Sequence, residues 1–172
     1  KLRDKSKKGT LLWVLDKTAT SMGGRLLRRW ISDPLIDVAE INNRLDAVQE
    51  LKDDIMLRGE LTSSLKGVYD IERLAGKISY GNANARDLNS LKSSASKLPE
   101  IKKLIENSKS GMLKELYNEL DSLEDIYSLI DKADYILVPR ISDYGKNKKV
   151  CVKFNGLYDI VKNTFDKVNI LT

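Results

Sequence analysis

The residues with the most chemistry to offer lie between Trp13 and Pro34, in WVLDKTATSMGGRLLRRWISDP. Gly23 and Gly24 are followed by Arg25, Arg28 and Arg29, with Trp13 and Trp30 to either side. Glycines next to cations suggest a phosphate cradle. No strand leads into a GxxxxGK[ST] pattern here, so the backbone amides that would wrap a nucleotide are not supplied. Glycine inside a helix costs about 1 kcal/mol against Ala, and close approach of another backbone is the better reason for the pair. Arg25 and Arg29 stand four apart, on one helix face, and are placed to pair with an acidic helix or a neighbouring domain.

The other chemical candidates are weaker. Glu50, Asp53 and Asp54 form an acidic cluster, but no spaced ligand set or glycine loop accompanies them. Exposed charge near a helix junction explains them better than a cation site. Glu124 and Asp125 are adjacent, so on a helix they point about 100° apart, and no nucleophile–base set stands with them. With no His and one Cys, zinc has almost no ligands. Cys151 alone rules out an internal disulfide and fits a reducing compartment. Lys146, Lys148 and Lys149 are candidate DNA-phosphate contacts at a hairpin tip, and a solvated turn is at least as good a reading. Lys5, Lys7 and Lys8 read as a solvated terminus.

The chain has 172 residues, 41% hydrophobic and 32% charged, which fits one domain with a small appendage and a large solvated helical surface. No apolar run approaches the ~18 residues of a membrane span. The opening KLRDKSKKGT is basic without the apolar core of a secretory signal, and with no initiator Met it reads as the middle of a longer chain. Charge is unevenly spread. Residues 1–30 carry nine Lys/Arg against two Asp/Glu, residues 31–133 fourteen against nineteen, and residues 134–172 seven against four. A dedicated nucleic-acid binder carries a basic stripe along its folded face; here the body is acidic and only the ends are basic.

The elements that must hold these residues are helical. Leu11–Leu15 is an extended entry or a first helical turn. Thr18, Thr20 and Ser21 offer caps for a helix from about 21 to 31, which Pro34 stops. Asp37 and Glu40 have capping-box spacing. Val38, Ile41, Leu45, Val48, Leu51 and Ile55 then step by three and four, an inward stripe, with Asn42, Asn43, Asp46, Gln49, Glu50 and Asp53 opposite. Helices over 54–66, ending at Gly67, and 69–80, ending at Gly81, follow. Leu88, Leu91, Ala95 and Leu98 mark another, which Pro99 interrupts before a short helix. Leu113, Leu116, Leu120, Leu123, Tyr127 and Ile130 give the clearest pattern, nearly a heptad seam, and predict one rod of some 20 residues, roughly 30 Å long. After Ala133 come short β-type runs, 135–138 and 150–154, and an amphipathic stretch from Leu157 to Val168. The expected fold is all-α, a multi-helix bundle of long amphipathic helices with a small irregular or β-like C-terminal tail. Trp13, Trp30, Gly23, Gly24, Arg25, Arg29 and Pro34 are its expected anchors, with both tryptophans buried.

The stretches GTLLWVLDKTATSMGGRLLRRWISDPLID, INNRLDAVQEL, LKGVYDIERLAGKISYGNANARDLNSL and KLPEIKKLI resemble, in unbroken order, the core or lever domain of the MutS family of DNA mismatch-repair ATPases, most closely the bacterial members. The resemblance covers roughly residues 2 to 133. It implies a lever domain at 1–133 that links ATPase, clamp and mismatch-reading modules. It also implies a DNA-encircling dimer and a cytoplasmic setting. ATP and Mg would belong to the parent protein, with none in this segment, because the nucleotide motif and the Phe-x-Glu mismatch wedge are absent. The tail, 134–172, departs from the family pattern and reads as a divergent clamp base or as a segment without a native role. The expected function is therefore structural relay without catalysis; the alternative is a nonspecific DNA-backbone-binding helical module. Expected partners are the other domains of the parent, duplex DNA in the parent complex, and a second copy through the Leu113–Ile130 seam.

Overall fold

The computed structural model describes residues 8–132, and every regular element among them is a helix. In chain order these are α1 (Leu11–Leu15), α2 (Ser21–Ser32), α3 (Val38–Asp53), α4 (Ile55–Lys66), α5 (Ile71–Ser79), α6 (Ala85–Ala95), α7 (Leu98–Ile105), α8 (Gly111–Glu119) and α9 (Glu124–Lys132). The all-α expectation holds among these residues. The expected tail at 134–172, its β-type runs, and Lys146, Lys148 and Lys149 lie outside the described residues.

The described chain forms two compact units, residues 8–70 with 97–122, and residues 71–96 with 123–132. In the first, α4 packs on α7, α3 packs on both α4 and α8, and α7 packs on α8. Leu61, Ile101 and Ile105 are buried at its centre, and Leu51, Leu57, Leu65, Val68 and Leu104 close around them. Polar ends are covered locally. Asp54 caps both helices it separates: its N–H donates to the Glu50 carbonyl at the end of α3, and its carboxylate accepts from Leu57 N at the start of α4. One residue therefore makes the whole corner.

In the second unit α6 packs on both α5 and α9. Leu74 and Ile78 from α5, Leu88 and Leu91 from α6, and Ile126 and Ile130 from α9 are all buried. Asn84 and Asp87 form a full capping box at the start of α6. The sequence placed a polar connection here but not the box, since Asn and Asp replace the usual Ser/Thr and Glu/Gln. Gly81, at φ +67°, ends α5 in the left-handed conformation that suits glycine. Lys77 and Lys92 pair with Asp87 and Asp131 at 2.8 and 2.6 Å.

Two helical expectations are corrected. The single rod from Leu113 to Ile130 is two helices, α8 and α9, divided at 120–123. Leu120 is extended, and Leu123 has φ 52°, a left-handed value that costs a non-glycine residue roughly 1–2 kcal/mol. Burial of Leu123, 6% exposed, offsets that cost, and Lys102 Nζ donates to the freed Leu120 carbonyl at 2.6 Å. The leucine spacing runs through the break by coincidence, because four residues of non-helical chain keep the count. Of that seam Leu113, Leu123, Ile126 and Ile130 are buried among the described residues, while Leu116 is 39% exposed.

The second correction concerns α3. Most of its apolar stripe does not face inward: Val38, Leu45, Val48 and, at the start of α4, Ile55 are 68%, 57%, 60% and 69% exposed; Ile41 and Leu51 are half-buried, Leu51 against the core, and the buried residue is Ala47. The face turned to α8 is the one with Asn43 and Glu50, because those side chains satisfy backbone amides that would otherwise have no acceptor.

Candidate functional site

The most connected polar arrangement in the first unit holds helix termini together. Its first part centres on Asp70. Thr20 Oγ1 accepts from Gly23 N at 3.0 Å and so starts α2 at Ser21. Ser21 and Arg25 then stand four apart on one face and converge on the same carboxylate. Arg25 Nη1 and Nη2 donate to Asp70 Oδ2 and Oδ1 at 2.6 and 2.8 Å, and Ser21 Oγ donates to Oδ2 at 2.9 Å. The forked guanidinium matches a carboxylate in both length and angle, which fixes orientation as well as attraction. Ahead of α2, Thr18 donates from both its hydroxyl and its amide to Asp16 Oδ1, and these bonds hold the Asp16 carboxyl below its usual value.

Gly23 and Gly24 serve this turn. A Cβ on Gly24 would lie 3.2 Å from Thr18 Oγ1, and one on Gly23 would lie 3.1 Å from Thr20 Oγ1. The close approach comes from threonine side chains of the preceding turn, where the sequence suggested another backbone. Trp13 is likewise not a buried anchor: it is 52% exposed on the one-turn α1, which packs on α2. Trp30 is half-buried, with the Arg44 guanidinium 3.9 Å from its ring centroid, a contact worth roughly 0.5–2 kcal/mol. Arg29 is exposed in the last turn of α2, so the two arginines of one face do not act together; only Arg25 takes Asp70. Pro34 is exposed just beyond the end of α2 at Ser32, as its stop role requires.

The second part joins α3 to the start of α8. Glu50 Oε1 accepts from Lys109 N at 2.7 Å and Oε2 from Ser110 N at 2.8 Å. Asn43 Oδ1 accepts from Met112 N at 2.9 Å. The Ser110 side chain makes no cap of its own, so two residues of another helix cap α8. A Cβ on Gly111 would fall 2.6 Å from Asn43 Oδ1, so a larger residue there would displace the Asn43 side chain from its cap. Sequence inspection missed this junction because its partners lie 59 to 69 residues apart. The usable signal was small: a Ser-Gly helix start opposite an Asn and a Glu seven apart on one face.

Burial pushes the Glu50 carboxyl up. The amides of Lys109 and Ser110, with the Lys109 charge, outweigh that and hold it below 4.5. A depressed carboxylate stabilises the fold above its unfolded value, and that stability is lost as pH falls through the folded one. Unfolding midpoints should therefore fall as pH drops below about 4.5. In Glu50→Gln the unfolding free energy should be lower by about 1–3 kcal/mol at neutral pH, with a shallower acid dependence. Urea titrations at pH 3, 4, 5 and 7 would check it, and parallel curves for the two proteins would contradict the assignment.

None of this is catalytic geometry. Among the described residues no group of three or more His, Cys, Asp or Glu is placed to hold a metal. Glu50 and Asp54, from the acidic cluster of the sequence, are caps, and Asp53 accepts from Gln49 at 2.8 Å. The site organises helix ends.

A model of MutS domain III matches residues 1–168. The chain belongs to the MutS domain III family. It is 58% identical over 132 residues to the DNA mismatch repair protein MutS of Alkaliphilus oremlandii, covering 77% of this chain and 15% of that protein. The MutS of Clostridium novyi is also 58% identical over 132 residues, 77% of this chain and 14% of that protein. That of Caldicellulosiruptor saccharolyticus is 54% identical over 129 residues, 75% and 15%. The chain thus spans about 15% of the length of these relatives. No GxxxxGK[ST] pattern occurs in the sequence of this MutS domain III chain.

Proposed function

We propose that this chain is the helical core, or lever, of a DNA mismatch-repair ATPase, and that it relays ATP-driven movement between ATPase, clamp and mismatch-reading modules. The family match over residues 1–168 carries the proposal. The site supports it: side chains at Asp70, Asn43, Glu50 and Asp54 fasten helix ends to one another, as a part that passes on displacement needs. On this reading ATP and Mg act elsewhere in the parent, which works in the cytoplasm on duplex DNA. The lever segment is residues 1–133, and 134–172 is a divergent tail, a clamp base or a segment without a native role, although the family match runs on to residue 168. Among the described residues no helix is long and apolar enough to cross a membrane.

The competing reading, a nonspecific DNA binder, is disfavoured by the acidic balance of residues 31–133. Fluorescence anisotropy of a labelled duplex at 50 and 200 mM salt separates the two. A relay segment should bind weakly with little salt dependence. Tight binding that falls by about 10³ or more across that range, as for several neutralised phosphates, would overturn the relay reading as a full account.

A further inference from the structure

In the first unit, α3, α4 and α7 border an open groove of about 1450 Å³. Asp46, Gln49, Glu50 and Asp53 of α3 line it at i, i+3, i+4 and i+7, Glu100, Lys103 and Leu104 of α7 with Asn107 of the following turn line the other side, and the N-terminal turns of α4 close one end. Three observations bear on what it takes. The first is charge. The lining has six carboxylates against two lysines, and Asp46 and Glu60 make no hydrogen bond or ion pair with any described residue. The second is apolar surface. Ile55 and Met56, 69% and 77% exposed, form a lip beside Leu57 and Leu104. The third is Ser108, which lines the groove, is only 7% exposed, and has no partner for its Oγ. Polyanions are repelled by such a surface, and a metal ion finds no ligand set in it.

Size narrows the occupant further. A helix with side chains is about 10–12 Å across, so the groove volume corresponds to roughly 15 Å of helix, about ten residues. We propose that this groove binds a short basic amphipathic helix. Its apolar side chains rest on Ile55, Met56 and Leu104, and its Lys or Arg heads lie over Asp46 and Glu60. This is helix-in-groove recognition, with charge setting which helices are accepted. It is independent of the relay reading, since Asp46, Glu60, Ile55, Met56 and Leu104, which it rests on, do not fasten α2 or α8.

The test uses the full 172-residue chain and two labelled peptides of about 12 residues. One has Leu at i, i+3, i+4, i+7 and i+8 with Lys elsewhere. The other has the same composition in an order that destroys the apolar face. Anisotropy should give a Kd about tenfold lower for the amphipathic peptide. Hydrogen exchange should slow at 46–60 and 100–110 when it binds. Asp46→Lys with Glu60→Lys, and separately Met56→Asp, should each weaken binding about tenfold with the melting temperature held within a few degrees. Equal affinity for the two peptides, protection elsewhere, or binding unchanged by these substitutions would overturn the proposal. The wild-type peptide comparison decides it even where a variant folds poorly.

Discussion

Replacing Leu91 with Ala should cost about 2–5 kcal/mol, among the largest single losses available in residues 71–96 and 123–132. Leu91 is 4% exposed on α6, the helix that packs on both α5 and α9, with Leu88 and Ala95 buried near it on the same helix. Ala95 and Ser94 are 1% and 0% exposed, so small residues set how closely α6 is approached, and neighbouring helices cannot easily collapse into a void. Much of the cavity should persist. Leu91→Met, close in volume, should cost less than about 1.5 kcal/mol. Hydrogen exchange followed by proteolysis would read this directly: amides of 71–96 and 123–132 should lose protection in the alanine variant. Protection unchanged in α5, α6 and α9 would show that this core is not what holds the three helices.

Asp70→Ala is the second large effect. The carboxylate receives three charge-assisted or hydroxyl bonds, two from Arg25 and one from Ser21. The Arg25 and Asp70 side chains are 32% and 16% exposed, so the pair is shielded without being dry. Removing Asp70 leaves a half-covered guanidinium without its fork partner, and the loss should be about 2–3 kcal/mol, several degrees in melting temperature. Arg25→Ala should cost nearly the same, and the double variant little more than either, because both delete one interaction. Additive losses would mean that the two residues act through different partners. Charge reversal at Arg25 in a full-length relative extends the test to the relay. Unchanged ATP–DNA coupling there would count against α2 as a transmitting element.

The fold class was open to inspection because it rests on local signals. Thr20 and Asp37 cap helices, Gly81 ends one, and Pro34 follows another. The Arg25 partnership was half visible: an arginine face is evident at i, i+4, but nothing local identifies Asp70, 45 residues away, or shows that Arg29 takes no part. Orientation was harder still. Val38, Leu45 and Val48 have the period of a core face, and periodicity reports only that residues share a face, never which way it turns. On α3 the acceptors Asn43 and Glu50 decide the direction, since the amides at the start of α8 have no cap of their own. The break at 120–123 was hidden for a related reason. A left-handed Leu123 is unfavourable by local preference and stands only because its side chain is buried. The acidic trio at 50, 53 and 54 reads in the sequence as exposed charge near a helix junction, yet its members are specific acceptors.

Asp54 has one further consequence. A corner of a single residue, bonded to the helices on both sides of it, leaves α3 and α4 no slack. Two rods joined by a long loop behave like links on a string: one can turn while the other stays. If the relay proposal holds, the corner at Asp54 makes α3 and α4 a crank, with a rotation imposed near Val38 carried toward Lys66 through its two bonds. Inserting even one glycine beside Asp54 would give that crank a slipping clutch.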